Sequence, residues 1–339
     1  MKKGITKILS ACVFAFVVFL AAGTQSKAAV NMGVKQTGAG SSYVDLAWNA
    51  QLGAGHYHTQ FSQDGKNWID MEYSSSPSDS VYNLTQGASY YARVVAYNGS
   101  HYSGTHVMVG VSETAIVSTK PTEVTGLTQT AAGVNSVSMS WNASAGAASY
   151  VIYGYINYNW TQIGTSATNS ATITGVAATT STKFSVAAVK NVTGGTVTGD
   201  QCSGVEMKAI PIKVSRIAMQ YYWDSLKEAK YIWTDVNNAD GYQYEVKSAN
   251  GKKTYFRATS TSSYTYVKPF PRGIFVKARV RAYVTVGNKV YYGAWSPYTY
   301  HASSKKVTAK RSSNGKKIYL KWKKVSGASG YQIYRYHTG

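Results

Sequence analysis

The stretch WNAQLGAGHY at residues 48–57 has three counterparts further along the chain: WNASAGAASY at 141–150, WTDVNNADGY at 233–242 and WKKVSGASGY at 322–331. Each stretch runs from a tryptophan, across eight mostly small or polar residues, to a tyrosine. Successive tryptophans are separated by 93, 92 and 89 residues. Self-similarity at a nearly constant period is the signature of a tandem array, so the sequence predicts similar modules repeated along the chain.

Alternation of residue types predicts β-strands around these pairs. Ala92, Val94 and Ala96 occupy every second position of one segment, and residues 276–282 alternate small apolar residues with cations in the same way. A period of two places these side chains on one face, which is the pattern of a half-buried strand. Tyr, Ser and Thr are abundant, and no stretch has a convincing helical period. The sequence therefore predicts an all-β chain.

These landmarks resemble the fibronectin type III family. The repeated tryptophan matches the core residue of strand B in that fold, and the tyrosine matches the residue that opens strand C. Leu84 and Tyr90 match the corner before strand F, and Trp295 lies in a segment that matches the closing strand. The resemblance implies tandem immunoglobulin-like (fibronectin type III) β-sandwiches of seven strands in two sheets. It implies a structural core of Trp48, Tyr57, Trp141, Tyr150, Trp233, Tyr242, Trp322, Tyr331, Leu84 and Tyr90.

The positions of these landmarks divide the chain into four modules, which follow a predicted signal peptide. The predicted ranges are 1–28 for the signal peptide, 30–118, 119–210 and 211–303 for three fibronectin type III-like modules, and 304–339 for an incomplete fourth. The fourth leaves Ile318, Leu320 and Trp322 without a second sheet to cover them, so we expect either a truncated module or one completed by a partner. Thr182 and Val276 replace the corner tyrosine in modules two and three, which predicts weaker modules there.

Residues 1–28 have the three parts of a secretory signal peptide: a positive start, an uncharged apolar run and a polar exit. Ser26 and Ala28 are the small residues expected at −3 and −1 of a cut after Ala28. The apolar run at 8–22 has 15 residues, fewer than the ~20 that span a bilayer, which favours cleavage over an uncleaved anchor. We therefore expect a secreted, extracellular chain at the cell surface or cell wall, without a transmembrane segment.

Cysteine usage agrees with export from a bacterium. Once the signal peptide is removed, Cys202 is the one cysteine left in the sequence. An exported protein without an intramolecular disulfide fits a Gram-positive bacterial surface better than an animal secretory route. Export also argues against any role in nucleic-acid regulation.

Positive charge is concentrated in the C-terminal half of the chain. The formal net charge of the 339 residues is +21. Residues 30–118 carry −3 and residues 119–210 carry +1, whereas 211–303 carry +9 and 304–339 carry +10. One interpretation is retention at anionic cell-wall polymers or glycans, which salt would weaken. The alternative is that Lys277, Arg279, Arg281, Lys317 and Lys321 occupy the solvated faces of their strands.

The sequence contains no pattern that indicates catalysis. His56 and His58 flank Tyr57 and could hold one metal ion from a shared strand face, and His101 and His106 could approach them through folding. No Cys, Asp or Glu lies beside them, so the favoured interpretation is ordinary surface histidines. No phosphate loop, nucleophile elbow or zinc-protease motif occurs. We therefore predict no enzyme, no catalytic residue, no metal and no cofactor.

Aromatic residues are the better candidates for a binding surface. A cluster follows the tyrosine of the second repeat, and it comprises Tyr153, Tyr155, Tyr158 and Trp160. Exposed rings could stack on sugar faces, although tyrosine is also a common residue of half-buried strands. Trp68 and Tyr73 occupy a comparable place in the first repeat. In the third repeat we expect Arg279 or Arg281 to stack on Trp295 in a structural cation–π contact.

Two functions fit these observations. The first is a non-catalytic extracellular array of modules that acts as spacer, adhesion or binding element of a surface or secreted protein, with glycans or another protein as partner. The alternative is the N-terminal accessory region of a larger exported hydrolase that acts on polysaccharide or cell wall. A fold of this kind does not decide between them.

Overall fold

The computed structural model describes residues 28–103, 106–223, 225–302, 307–325 and 328–333. The regular elements of this part are β-strands and one 3₁₀ turn at His101–Ser103. They build antiparallel sheets of two to five strands, which confirms the predicted all-β class of tandem β-sandwiches. The predicted signal peptide falls almost wholly on residues 1–27, which lie outside the described part.

In the part of the chain that the structure describes, no helix has the length and apolar character needed to cross a membrane.

The chain divides into two compact units. Of the described residues, the first unit holds 28–35, Leu46–Asp79 and Tyr91–Ala115, and the second holds Gln36–Asp45, Ser80–Tyr90 and those from Ile116 onward. The strands up to residue 118 are β1 (Lys35–Ala39), β2 (Val44–Ala47), β3 (His56–Ser62), β4 (Ile69–Ser74), β5 (Ser78–Val81), β6 (Ser89–Tyr97), β7 (Met108–Val111) and β8 (Ala115–Ser118). The sheet that dominates the first unit has the strand order β4-β3-β6-β7.

The second unit contains a complete sandwich, here called the second sandwich. Its strands are β9 (Thr128–Gly133), β10 (Ser136–Ser140), β11 (Ser149–Ile156), β12 (Asn159–Ser166), β13 (Ser170–Thr174), β14 (Thr182–Val192), β15 (Gly195–Thr198) and β16 (Val205–Met207). One sheet has the order β13-β10-β9 and the other β12-β11-β14-β15, with β16 also paired to β14. Trp141, Ile152, Phe184 and Met207 are buried between the sheets, and the free cysteine Cys202 lies in the same core.

The third sandwich repeats this arrangement within the second unit. Its strands are β17 (Ile217–Trp223), β18 (Glu228–Trp233), β19 (Gly241–Ser248), β20 (Thr254–Ser260), β21 (Tyr264–Val267), β22 (Phe275–Val286), β23 (Lys289–Tyr292) and β24 (Thr299–Ala302). The sheet orders are β17-β18-β21 and β20-β19-β22-β23, with β24 paired to β22. Alternate residues of β22 from Val276 to Ala282 are buried, as the sequence pattern predicts, so the cations between them lie on the outer face.

Each Trp–Tyr pair makes the same contact in all four repeats. The ring centroids lie 5.3–5.5 Å apart at interplanar angles of 60–68°. The tyrosine hydroxyl accepts a hydrogen bond, at 2.6–3.1 Å, from the backbone N–H of the residue six positions earlier. These donors are Gln51, Ser144, Val236 and Val325. The spacing therefore recurs because one side chain covers the core tryptophan and holds the loop between the two strands.

The tryptophans of the first three repeats stabilise the fold through apolar packing rather than hydrogen bonding. Trp48, Trp141 and Trp233 are each less than a tenth exposed. Their indole nitrogens are buried and have no hydrogen-bond partner among the described residues. Tyr57, Tyr150 and Tyr242 are buried beside them.

The fourth repeat differs from the other three. Its described strands, β25 (Thr308–Arg311) and β26 (Ile318–Lys321), form a two-stranded sheet. Trp322 is half-buried, and Tyr331 is 45% exposed although the family resemblance implies a core position. The physical reason is that, in the described residues, no second sheet covers this pair.

A tyrosine corner is present in the first repeat. The Tyr90 hydroxyl accepts a hydrogen bond from the Thr85 N–H at 3.0 Å, and Leu84 beside it is buried. In the second and third repeats, Thr182 begins β14 and Val276 lies buried near the start of β22. Neither side chain is a phenol, so neither can make the tyrosine-corner contact.

The second and third sandwiches are joined by a small apolar cluster and one ion pair. Ala132 packs with Val284 and Val286, and the Nζ atom of Lys208 lies 2.7 Å from a carboxylate oxygen of Asp240. Both partners of the ion pair are about one-third exposed, so the pair adds little stability by itself.

Candidate functional site

The predicted aromatic cluster lies on the β11–β12 hairpin of the second sandwich. Tyr155 and Trp160 are cross-strand partners, and their ring centroids lie 5.3 Å apart. Directly opposite residues of an antiparallel pair point to the same side of the sheet. Because Ile152 and Gly154 of β11 are buried, this side is the outer face. The structure therefore places two aromatic rings side by side on the surface.

The tip of the hairpin is formed by Asn157 and Tyr158, which have φ angles of 50° and 64°. Positive φ at both residues is typical of a two-residue type I′ turn, where asparagine and glycine are favoured. A bulky side chain is strained in this conformation. Tyr158 nevertheless occupies it, with its side chain 90% exposed. The fold has no packing use for this ring, which projects from the end of the hairpin.

Contact with a neighbouring strand segment fixes the ring of Trp160. A Cβ atom on Gly204 would lie only 2.8 Å from Cη2 of Trp160, so the indole rests directly on the backbone of Gly204. Trp160 is still 39% exposed and Tyr155 is 41% exposed. Tyr153 lies further along β11 and is half-buried. We call Tyr155, Tyr158 and Trp160 the aromatic shelf, with Tyr153 at its inner edge.

The comparable aromatics of the first unit are engaged in other contacts. The guanidinium carbon of Arg93 lies 4.1 Å from the ring centroid of Trp68. Tyr73 stacks on His101, with centroids 4.1 Å apart and ring planes at 7°. Each contact occupies one face of its ring, and Tyr73 is still 43% exposed, so the first unit keeps a partly open aromatic surface of its own.

The predicted stacking of arginine on Trp295 is confirmed. The guanidinium carbons of Arg279 and Arg281 lie 4.3 and 4.5 Å from its ring centroid. The contact extends into a ladder, because Arg279 also lies over Tyr298 and Arg281 over Tyr292. Cations and rings therefore alternate along the outer face of the third sandwich. Such contacts stabilise an exposed face by about 0.5–1 kcal/mol each.

Glu245 lies beneath this ladder and was not found by sequence reasoning. Its side chain is fully buried, on the central strand β19. Arg257 Nη2 donates to Oε2 at 2.6 Å and Arg279 Nε donates to Oε1 at 2.6 Å. Lys247 Nζ lies 3.2 Å from Oε1. Burial raises the pKa of Glu245, but the hydrogen bonds and charges of these cations outweigh it and hold the pKa below its ordinary value.

The ladder gives a structural role to two arginines of the positively charged C-terminal half of the chain. Arg279 and Arg281 are bound to Glu245 and to Gln243, respectively, as well as to aromatic rings. They act as structural residues and have limited freedom to meet an external anion. Lys310, Arg311 and Lys321 of the fourth repeat, in contrast, are exposed.

Four of the six histidines meet in the first unit. The ring centroids of His56, His58 and His101 lie 5.2–5.5 Å from one another, and His106 lies 5.2 Å from His56. The expectation of ordinary surface histidines is wrong for His56, whose side chain is only 2% exposed. Folding buries it because Tyr97 stacks on one side of the ring. His301 lies apart in the third sandwich, and His337 is outside the described residues.

Comparison with known proteins gives one partial sequence match. Over 162 residues the chain is 33% identical to chitinase A1 of Niallia circulans. The match covers 45% of this chain and 22% of that protein, so the chain spans about a fifth of the relative's length. No family model matches the sequence.

Among solved structures, the chain is similar to the crystal structure of chicken CNTN1 FN1-FN3 domains. The match covers 81% of this chain and 98% of that one, with 15% sequence identity and a TM-score of 0.33. The fold class stands on the sheets of the chain itself, which form a tandem of antiparallel β-sandwiches.

Proposed function

We propose that the chain is a non-catalytic, extracellular array of β-sandwich modules that binds insoluble polysaccharide through the aromatic shelf. The observation that carries the proposal is the conformation of Tyr158, an exposed ring at a strained position of a two-residue turn. Strain of this kind costs of order 1–3 kcal/mol and indicates a use other than folding. Stacking on a ligand is the use that an exposed aromatic ring offers.

The geometry of the shelf suits a flat apolar face with a polar edge. Two half-exposed rings, 5.3 Å apart and tilted by 59°, present adjoining surfaces to two successive sugar units, and Tyr158 adds a third ring at the hairpin tip. Pyranose rings have one face of C–H groups and an edge of hydroxyls, so they match the apolar faces and the phenol oxygens. Trp160 is held in place on Gly204 before any ligand arrives. This preorganisation lowers the entropy cost of binding.

The alternative proposal is the accessory region of a larger exported hydrolase that acts on polysaccharide. The partial identity with chitinase A1 favours it, because that protein is named for its action on chitin. In both proposals the modules of this chain bind and position, and only in the alternative would a further part of the protein supply the chemistry. Chitin is therefore the first polysaccharide to test.

The exposed cations of the fourth repeat support a second, electrostatic mode of attachment. Lys310, Arg311 and Lys321 are exposed and would attract anionic wall polymers, and salt would screen this attraction. Retention by the aromatic shelf depends much less on salt. The two modes can therefore be separated by ionic strength.

Replacing Trp160 with alanine is expected to reduce retention on insoluble chitin at 1 M salt about tenfold or more. The change removes one of the two paired rings, and for nucleic-acid bases the loss of one stacked aromatic side chain costs about 1–3 kcal/mol. The measurement is cosedimentation of the purified chain with chitin at low and high salt, with Tyr158→Ala as a second variant of the same shelf.

The matched control is Tyr82→Ala, because Tyr82 is an exposed tyrosine outside the shelf, with 53% exposure. It should leave retention unchanged. Equal retention of Trp160→Ala, Tyr82→Ala and the unsubstituted chain at high salt would contradict the proposal. Binding that disappears in salt for all of them would assign retention to the basic residues instead.

A further inference from the structure

The histidine cluster of the first unit is built on the core Trp–Tyr contact. Tyr57 faces the core against Trp48, with ring centroids 5.4 Å apart. Side chains alternate along a strand, so the neighbours of Tyr57, His56 and His58, both point to the opposite face of β3. The register pairs His56 with Tyr97, the last residue of β6, and the ring of His101 just beyond it lies 5.5 and 5.2 Å from those of His56 and His58. The ring of His101 also stacks on Tyr73 of β4.

One histidine of the cluster has a defined tautomer. His56 Nδ1 lies 3.0 Å from the carbonyl oxygen of Gly99. A carbonyl only accepts, so Nδ1 carries the proton and donates it, which leaves a free lone pair on Nε2 of the neutral ring. Metal-binding histidines are typically oriented in this way, by a hydrogen bond from one ring nitrogen to a carbonyl.

The lone pair on His56 Nε2 has no hydrogen-bond partner in the part of the chain that the structure describes. The atom is buried, and among the described residues nothing donates a hydrogen bond to it. A buried acceptor without a partner is unfavourable, and native structures seldom retain one without a reason. A bound cation would satisfy it.

The distances within the cluster fit a metal ion. His58 Nε2 and His101 Nδ1 lie 3.3 Å apart. Two nitrogens bound at 2.0–2.1 Å to a tetrahedral zinc ion are separated by about 3.3–3.4 Å. One ring nitrogen from each of His56, His58 and His101 lies within 4.8 Å of the other two, so a small shift of His56 brings all three into range.

A hydrogen bond between His58 and His101 is the competing explanation of their approach. It would account for two of the three rings, since one nitrogen can donate to the other. It leaves His56 Nε2 without a partner, and it gives no role to His106, which lies 5.2 Å from His56 between ring centroids. A metal ion accounts for all of these positions together.

The other repeats lack the same residues. By the register of the Trp–Tyr pairs, the positions that His56 and His58 occupy are held elsewhere by Ser149 and Val151, Gly241 and Gln243, and Gly330 and Gln332. The fold therefore does not require imidazole there, and the cluster is a property of the first unit.

We propose that His56, His58 and His101 form a binding site for a divalent transition-metal ion of the zinc class, with a fourth position open to water or to His106. Imidazole nitrogens select such ions over calcium and magnesium, which prefer oxygen ligands. His58 and His101 are half-buried and His106 is exposed, so an ion can enter from solvent. The bound ion ties the turn at His101–Ser103 to strand β3.

The test is titration of the purified chain with Zn²⁺ by isothermal calorimetry, without an affinity tag and after treatment with chelator. We expect one ion per chain in the unsubstituted protein. His58→Gln and His101→Gln should each weaken the affinity at least about tenfold, because loss of even an outer contact to a ligand costs 10–100-fold. Both side chains are half-buried, so circular dichroism should show folded variants.

The matched control is His301→Gln in the third sandwich, which should bind Zn²⁺ as the unsubstituted chain does. Equal affinity in the His58→Gln, His101→Gln double variant and the unsubstituted chain overturns the proposal, and so does the absence of binding. If the variants fail to fold, Co²⁺ replaces Zn²⁺ in the unsubstituted chain. Nitrogen ligation in tetrahedral geometry gives intense visible absorption bands, and a spectrum like that of aqueous Co²⁺ overturns the site.

Discussion

Replacing Trp141 by alanine is expected to destabilise the second sandwich by about 3–5 kcal/mol, as for other buried tryptophans. Trp141 is 3% exposed, and its ring packs against Tyr150 at 5.3 Å between centroids. The alanine variant loses this buried area and leaves a cavity between the two sheets. The measurement is urea unfolding of the whole chain followed by circular dichroism. The transition of the second sandwich should shift by about 1 M urea or more.

Two further variants serve as comparisons for the loss of stability in Trp141→Ala. Tyr150→Phe keeps the ring but removes the hydroxyl that accepts the Ser144 N–H at 3.0 Å, so we expect a loss of about 1 kcal/mol. Trp322→Ala makes the same substitution in the fourth repeat, where the tryptophan is half-buried. It should cost much less than Trp141→Ala. Equal losses from the two alanine variants would contradict the described difference between these repeats.

Replacing Glu245 by glutamine is expected to destabilise the third sandwich by about 2–4 kcal/mol at pH 7. Breaking a buried ion pair costs about 3–5 kcal/mol. We expect a smaller loss of stability for Glu245→Gln, because Arg257 is 52% exposed and can regain water. Both carboxylate oxygens of Glu245 accept from arginine, on the two strands that flank β19. A glutamine offers one oxygen, and its amide group would face a cation.

The pH dependence of this effect has a defined sign. The folded pKa of Glu245 lies below its ordinary value, so the folded state binds its proton less readily than the unfolded state. Its stabilising contribution is complete above the ordinary glutamate pKa of about 4.3 and is lost as pH falls through the lowered folded pKa. The difference between the unsubstituted chain and Glu245→Gln should therefore shrink in acid.

Urea unfolding of both proteins at pH 7 and at pH 3 measures this difference. The matched control is Glu206→Gln, because Glu206 is an exposed carboxylate of the second sandwich. It should change stability by less than about 0.5 kcal/mol. A Glu245→Gln variant as stable as the control at pH 7 would show that the cations do not depend on this carboxylate.

The strands of this fold are predictable because the Trp–Tyr spacing is a local pattern. Once Tyr57 is assigned to the core, alternation fixes the faces of its neighbours, and the same argument applies at Tyr150 and Tyr242. Sequence also placed Trp295 beside Arg279 correctly, although Trp295 lies in the irregular segment between β23 and β24 and not on the predicted closing strand. The strand faces follow from local residue order, whereas the contact of Trp295 with Arg279 was expected from the strand order that the family resemblance implies.

Features that depend on distant strands were not predictable. His58 and His101 are 43 residues apart in sequence, and only the folded chain brings their rings together. Trp160 rests on Gly204, which lies on another segment and gives no local signal. Glu245 occupies a strand position facing two arginines on different strands. In the sequence, Glu245 shows only as a single acidic residue among many cations. That pattern does not predict its burial, because the cations that cover it come from other strands.

The central claim is that the chain binds polysaccharide and performs no chemistry on it. The most direct measurement incubates the purified chain with insoluble chitin at 1 M salt and follows two quantities in the same supernatant, the remaining protein and the released reducing sugar. We expect the protein to leave the supernatant through the shelf formed by Tyr155, Tyr158 and Trp160, and no sugar to appear. Release of soluble sugar, or protein that stays entirely in the supernatant, would contradict the account.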